Sequence, residues 1–284
     1  MEGSWQHEYI TTNGINLHYV SQGNGPLMLM LHGFPEFWYS WRHQIPEFAS
    51  DFKVVAPDLR GYNDSDKPVS QSAYVMNELV QDVEGIIRGL GYKKCVLVAH
   101  DWGGGIAWSF AYAYPEMVER LIIMNCPHFA KFSQGLRTPK QLLRSWYMFF
   151  FQLPAIPELF LQAKNYKFIE NAFKGMAINK NAFSNEDIDI YKNAAAKHGA
   201  IKAMINYYRN IFSPKMFNQN WGILEIPTLM IWGEEDTALG KELTYGTEAY
   251  VKDLQIKYIP KCSHWVQQEQ PQLVNHYIRE FLIV

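Results

Sequence analysis

The run Ala99-His100-Asp101-Trp102-Gly103 constrains this chain more than any other stretch. The apolar segment Cys95-Val96-Leu97-Val98-Ala99 leads in as a strand, and a helix-compatible run from Gly104 to Tyr114 follows and stops before Pro115. A strand that turns sharply into a helix, with small residues on both sides of one reactive group, is the layout of a nucleophile elbow. Ala99 and Gly103 are small because strand and helix nearly touch there and the central residue is strained. That central residue is Asp101. A carboxylate is ionised at neutral pH, so an elbow built on Asp attacks without a base to activate it. Asp is also a favoured helix N-cap, and the motif alone leaves capping open.

Around the elbow, short strand-like runs alternate with helical ones, the pattern of an α/β fold with a largely parallel sheet. Glu8–Thr12 and Ile15–Val20 flank the hairpin signal Asn13-Gly14. Leu27–Leu31, Lys53–Ala56, Cys95–Ala99, Leu121–Asn125, Thr228–Trp232 and Gln255–Ile259 read as further strands, giving eight in all. Helices are expected at Trp38–Ala49, at Tyr74–Leu90 with its stop at Gly91, and from about Val266 to Leu282. After Cys126-Pro127 the pattern changes: from about Phe129 to Gln219 there are helical segments and crowded aromatics but no convincing strand, and alternation resumes at Thr228. The chain is therefore read as an α/β core, 1–128 and 222–284, split by a helical lid, 129–221, of small-domain size.

Composition excludes several classes. With 284 residues, 48% of them hydrophobic, and a formal charge of −2, the chain buries a large core and carries no electrostatic footprint for nucleic acid. The most apolar segment, Trp146 to Phe151, is too short to span a bilayer, and Met1 to His7 lacks a basic-then-apolar signal pattern. Cys95, Cys126 and Cys262 are an odd, widely spaced set that reads as buried thiols. The expected compartment is cytoplasmic. No His pair has zincin spacing, the cysteines form no metal cluster, and Gly103-Gly104-Gly105 lacks the spacing of a phosphate-binding fingerprint, so no metal and no cofactor is implied.

A nucleophilic Asp101 needs a base and an oriented acid, and in hydrolases of this layout the chain order is nucleophile, acid, His. Asp236, in Trp232-Gly233-Glu234-Glu235-Asp236, and His264, in Cys262-Ser263-His264-Trp265, fall in that order. Glu234 and Glu235 stand close enough to substitute as the acid. All three triad candidates follow strand ends, where reactive groups in open parallel sheets collect. Backbone N–H groups for an oxyanion are expected from Trp102, after the nucleophile, and from Phe34 in His32-Gly33-Phe34-Pro35; Pro35 has no N–H to give. His32 and His100 are read as structural.

His32-Gly33-Phe34-Pro35-Glu36, Trp38-Tyr39-Ser40-Trp41-Arg42, Asp58-Leu59-Arg60-Gly61-Tyr62, His100-Asp101-Trp102-Gly103-Gly104 and Ser263-His264-Trp265 together resemble the epoxide hydrolases of the α/β-hydrolase fold, over almost the whole chain. Asn63 departs from the Gly that relatives often have in the turn after Arg60-Gly61. The resemblance implies two lid tyrosines that hold the epoxide oxygen, and its pattern falls on Tyr147, in an aromatic run ending in Gln152, and on Tyr208, before Arg209-Asn210. A phenol can hydrogen-bond the ring oxygen and pass it a proton as the carboxylate attacks. Tyr207 and Tyr208 point about a hundred degrees apart on a helix, so only one of them faces the pocket.

The reading that follows is hydrolysis of apolar epoxides to vicinal diols, through an Asp101 ester that His264-activated water cleaves. Phe34, Trp102, Tyr147 and Tyr208 are expected to line the substrate pocket. Two alternatives share the fold: a dehalogenase, which needs no lid tyrosines, and a non-catalytic ligand receptor, which would not need a complete triad.

Overall fold

The computed structural model describes residues 5–212 and 221–283. Eight strands form one sheet: β1 (Gln6–Thr12), β2 (Ile15–Gln22), β3 (Leu27–Leu31), β4 (Lys53–Pro57), β5 (Cys95–His100), β6 (Val118–Met124), β7 (Thr228–Gly233) and β8 (Leu254–Ile259). Their spatial order is β1-β2-β4-β3-β5-β6-β7-β8. β1 and β2 pair antiparallel, and β2 pairs antiparallel with β4; every other pairing is parallel. The Asn13-Gly14 hairpin has positive φ at both residues, 47° and 72°, which is why Asn and Gly occupy it. β3, β5 and β7 are buried along their whole length, as continuous apolar runs in a sheet covered on both faces must be.

The helices of the core are α1 (Ile45–Phe48), α2 (Met76–Gly89), α3 (Trp102–Ala113), and two near the C-terminus given below. α3 is apolar on every side and almost wholly buried, the state such a helix requires. Between β6 and β7 the described residues form α4 (Phe129–Gly135), α5 (Pro139–Arg144), α6 (Trp146–Phe150), α7 (Ile156–Glu170), α8 (Asn185–Ala196) and α9 (Ala200–Arg209), with no strand of the sheet among them. Residues 213–220, near the end of the expected lid, lie outside the described residues. α7 is broken at Ala163–Tyr166, where Lys164, Asn165 and Tyr166 take left-handed φ. α8 starts on a capping box made by Ser184 and Asp187.

Three expected helices are shorter or divided, each for a local reason. Trp38–Ala49 resolves into a 3₁₀ turn, Trp38–Trp41, and the single turn α1; Pro46 at the start of α1 can donate no N–H to the turn before it. Tyr74–Leu90 divides at Val75, whose ψ of 150° is extended. The C-terminal helix divides into α10 (Val266–Glu269) and α11 (Pro271–Ile283) at Gln270, because the residue before a proline is driven out of helical geometry. All three cysteines are free and buried, and no helix among the described residues is long and apolar enough to cross a membrane.

Candidate active site

The sequence-predicted site residues of the core follow the carboxyl ends of β3, β5, β7 and β8, and they line cavities shared with helices that lie between β6 and β7. Asp101 follows β5 with φ 48° and ψ −121°, a conformation L-residues rarely adopt. It occupies the cap position of α3, yet its side chain makes no capping hydrogen bond, so its carboxylate is left for something else. The turn is possible because Gly103 passes close to β3: a Cβ there would lie 2.3 Å from the Leu31 carbonyl oxygen. Gly33 is under the same constraint from the other side, since a Cβ on it would meet the Asp101 side chain at 2.4 Å.

That proximity lets the Phe34 N–H donate to Asp101 Oδ1 at 2.8 Å. Trp102 opens α3, so its N–H belongs to the first turn, where helix N–H groups have no intrahelical acceptor. His264 Nε2 stands 3.5 Å from Asp101 Oδ2. On its other side His264 Nδ1 donates to Asp236 Oδ2 at 2.7 Å. Asp236 Oδ1 accepts the N–H groups of Ala238 and Leu239, both at 2.8 Å. Glu234 and Glu235, the other candidates for the acid, point elsewhere: Glu234 pairs with Lys241 and Glu235 accepts the Cys262 N–H.

The electrostatics of this row follow from burial set against charge. Burial pushes both carboxyls up, but His264 and the surrounding N–H donors outweigh it and hold Asp101 and Asp236 below the usual Asp value. Burial pushes the His264 imidazole down, and the two flanking carboxylates outweigh it, so its pKa is well above the ordinary histidine value.

Tyr147 on α6 and Tyr208 on α9 both line two apolar lobes that meet at Asp101. Their rings meet edge to face, centroids 5.8 Å apart. One lobe is walled by Trp102, Cys126, Phe129, Phe132, Met148 and Leu239; the other by Phe34, Phe168, Met176, His264 and Trp265, with Arg144, Asn171 and Thr237 at polar positions. Phe34 and Trp102 flank the Tyr208 ring at 5.2 and 5.1 Å. Burial, then the Asp101 charge, push both phenols upward, so they stay protonated hydrogen-bond donors. Tyr207 faces away: its hydroxyl donates to the Arg60 carbonyl at 2.7 Å and its ring packs on Tyr62.

His32 and His100 are held in the scaffold. His32 Nε2 accepts the Leu59 N–H, while His100 bridges Glu36 Oε2 at 2.7 Å and the His264 carbonyl oxygen at 2.9 Å. Three supporting residues escaped the sequence reading. Asn125, at the end of β6 with φ 41°, donates to Asp236 Oδ2 at 2.7 Å and accepts the Gly233 N–H at 3.1 Å. Glu36 accepts the Gly33 N–H and both Gln267 and Gln268. Glu269 accepts from the Ser263 N–H and hydroxyl and from the N–H groups of Ile178 and Asn179. Their sequence signals are slight: Glu36 closes the His32-Gly33-Phe34-Pro35-Glu36 motif without a role read for it, and Asn125 is a strand-end Asn, a residue type that tolerates positive φ.

A family profile described as alpha/beta hydrolase fold matches residues 26–271. Epoxide hydrolase 1 of Caenorhabditis elegans is 46% identical over 99% of this chain and 71% of its own length. Epoxide hydrolase 4 of Mus musculus is 44% identical over 96% of this chain and 78% of its own. Among solved structures, a Bacillus megaterium epoxide hydrolase in complex with an inhibitor superposes with a TM-score of 0.92 at 41% identity, covering 98% of this chain and 100% of that one. The chain belongs to the alpha/beta hydrolase fold family and, within it, to the epoxide hydrolases.

Proposed function

We propose that this enzyme converts apolar epoxides to vicinal diols in two chemical steps at Asp101. The observation that carries the reading is the placement of Asp101 opposite Tyr147 and Tyr208 across one apolar cavity, with His264 behind it. In the first step Asp101 Oδ2 attacks an epoxide carbon, the ring C–O bond breaks, and the oxygen takes a proton from a tyrosine hydroxyl. The carboxylate pushes while two neutral donors pull, and no base is needed. The product is a glycol monoester of Asp101.

In the second step His264 takes a proton from water, and the hydroxide attacks Cγ of the ester. The negative charge that develops on Oδ1 is met by the Phe34 N–H, already 2.8 Å away, and by the Trp102 N–H. The C–O bond to the glycol breaks, the imidazolium returns its proton to the glycol oxygen, the proton left on the new carboxyl restores the tyrosine hydroxyl, and the diol leaves with Asp101 regenerated as a carboxylate. Asp236 keeps the proton of His264 on Nδ1 and stabilises the imidazolium. Esterification itself prepares this step. It removes the Asp101 charge, one of the two that raise the His264 pKa, and burial then favours the neutral imidazole that can accept a proton.

The helical segment 129–221 serves as the lid, since it supplies both tyrosines and about half of the apolar wall. The apolar lining favours apolar epoxides. Three buried free thiols support a cytoplasmic setting.

The test is a styrene oxide pulse on His264→Gln, read by intact-protein mass spectrometry. The expected result is a species heavier by one styrene oxide, localised to Asp101, because ring opening does not need His264. An unmodified protein, under conditions where the wild type forms diol, would mean that water opens the epoxide directly and would overturn the covalent mechanism.

A further inference from the structure

α6 and the start of α7 present large apolar side chains to water. Trp146, Ile156 and Phe160 are 57, 53 and 49% exposed. Trp146 and Phe150 stand at i and i+4 on α6, and Ile156 and Phe160 at i and i+4 on α7, so each pair shares a helix face. The Trp146 and Phe150 rings are 6.0 Å apart, and Phe150 meets Phe160 edge to face at 5.4 Å. The four side chains therefore form one patch that joins the two helices. A surface helix ordinarily turns its apolar stripe inward, and a patch left outside marks a contact surface.

The patch is continuous with the cavity. Phe160 lies 6.0 Å from Phe168, and Phe168 lies 6.2 Å from Phe34, whose N–H donates to Asp101. Phe168 and Trp146 both wall the second lobe, and Trp146 is more than half exposed, so the lobe reaches the surface at the patch. The flanks are basic. Lys140 and Arg144 share the carboxylate of Glu242, while Lys167 and Lys192 share that of Glu170, so each group keeps a surplus positive charge. Between residues 137 and 167 the only acid is Glu158, and Arg209 pairs with it at 2.7 Å.

We propose that this face of the lid docks on an anionic lipid surface, with Trp146, Ile156 and Phe160 entering the headgroup region and Lys140, Arg144 and Lys167 meeting the lipid phosphates. The inference rests on the reading that the substrates are apolar epoxides. Such molecules partition into lipid, and a cavity mouth set in the docking face receives them there without a passage through water. A tryptophan suits headgroup depth, where its apolar rings and its N–H each find their own medium. Lysine and arginine stems lie along apolar surface while their charges reach outward. A second copy of this chain on the same face would bring basic flanks against basic flanks, and like charges oppose that contact. A bilayer with anionic headgroups complements both the apolar centre and the basic rim.

Ile156 is the first residue of α7, where a carboxylate suits the helix, so Ile156→Glu keeps the fold while placing a negative charge in the patch. The test is cosedimentation with vesicles of phosphatidylcholine, with and without phosphatidylserine. The wild type should pellet with the anionic vesicles, more than with the zwitterionic ones, and less as salt is added. Ile156→Glu should lower the partition coefficient on anionic vesicles by roughly tenfold or more. In vesicle-free buffer it should turn over styrene oxide at the wild-type rate, whereas its turnover of a long-chain alkyl epoxide dissolved in the vesicles should fall. A wild type that stays in the supernatant overturns the proposal, as does equal pelleting of the wild type and Ile156→Glu. So does a wild-type dimer in sedimentation equilibrium that Ile156→Glu dissociates, which would make the face a contact between copies. Vesicle binding is measured without substrate, so its failure leaves the epoxide chemistry standing, and a failure of His264→Gln to trap an ester leaves the docking standing.

Discussion

One position along α9 separates two roles. Tyr208 turns into the cavity beside Asp101, while Tyr207 closes a hydrogen bond to the Arg60 carbonyl under the lid. Tyr208→Phe and Tyr147→Phe should each slow ester formation in single-turnover experiments, because one phenol remains to protonate the oxygen. The double variant should nearly abolish it. Tyr207→Phe should leave ring opening unchanged and cost about 1–3 kcal/mol of stability, the usual effect of leaving a buried carbonyl without its donor. If Tyr207→Phe instead stops ester formation, the roles given to the two residues are reversed. A second expectation at this scale concerns His264. Its pKa is raised by two carboxylates against burial, so neutralising one lets burial weigh more. Asp101→Asn mimics the uncharged ester, and NMR titration of His264 should find its pKa lower in that variant than in the wild type. An unchanged value would remove the link between esterification and water activation. Asp101 and His264 were legible in the sequence because each sits in a compact motif at a strand end. Asn125 was not, because its work is to join the end of β6 to Asp236, 111 residues on.

At the level of elements, all eight strands were legible: β3, β5 and β7 as continuous buried apolar runs between turn signals, β1 and β2 from the Asn13-Gly14 turn that joins them. Helix interiors were equally legible, but their breaks were not. Val75 carries no breaking residue type, yet it is extended where the 3₁₀ turn Gln71–Tyr74 ends and α2 begins. The junction from β6 into the lid holds a pH-sensitive feature that no pattern marks. His128 caps α4 by accepting the Ala130 N–H on Nδ1, stacks on Tyr250 at 4.6 Å, and meets the Tyr112 hydroxyl at 3.0 Å. Burial, then Lys131, lower its pKa to about 4. The unfolded chain binds a proton at about 6.5, so between pH 6.5 and 4 it holds more protons than the fold, and stability falls as pH drops through that window. A shift of this size corresponds to at most about 3 kcal/mol. His43, also lowered to about 4 by burial, acts with the same sign. Thermal unfolding midpoints at pH 7.5 and 5 should therefore differ more in the wild type than in His128→Gln. Equal pH dependence in the two proteins would mean that His128 is not the sensor.

At the scale of the molecule, what the sequence could not disclose is how the lid is fastened to the loop that carries His264. The partners lie about ninety residues apart and follow no motif. Glu269 is the fastening: it receives the Ser263 N–H and hydroxyl from the catalytic loop, and the Ile178 and Asn179 N–H groups from the lid at 2.8 and 2.9 Å. Trp265 adds a hydrogen bond to the Ala172 carbonyl at 2.9 Å, and Gln268 accepts the Tyr191 hydroxyl of α8 at 2.7 Å. Segments between β6 and β7 are thus tied through Glu269 and Trp265 to the residues on both sides of His264, and the expectation is that this tie places its imidazole. In Glu269→Gln one carboxylate oxygen becomes an NH₂, which faces donors instead of accepting from them. Charged acceptors contribute about 1.5–3 kcal/mol per hydrogen bond, so the variant should unfold at a measurably lower temperature. A loss of stability alone would fit a purely structural residue. The positioning role predicts in addition that Glu269→Gln, still folded at the assay temperature, forms the Asp101 ester at close to the wild-type rate but hydrolyses it more slowly. The ester would then build up during turnover, as in His264→Gln but incompletely. Rapid quench of the variant after a styrene oxide pulse, with the ester measured by mass spectrometry, separates the two: equal slowing of both steps would leave Glu269 with no part in placing His264.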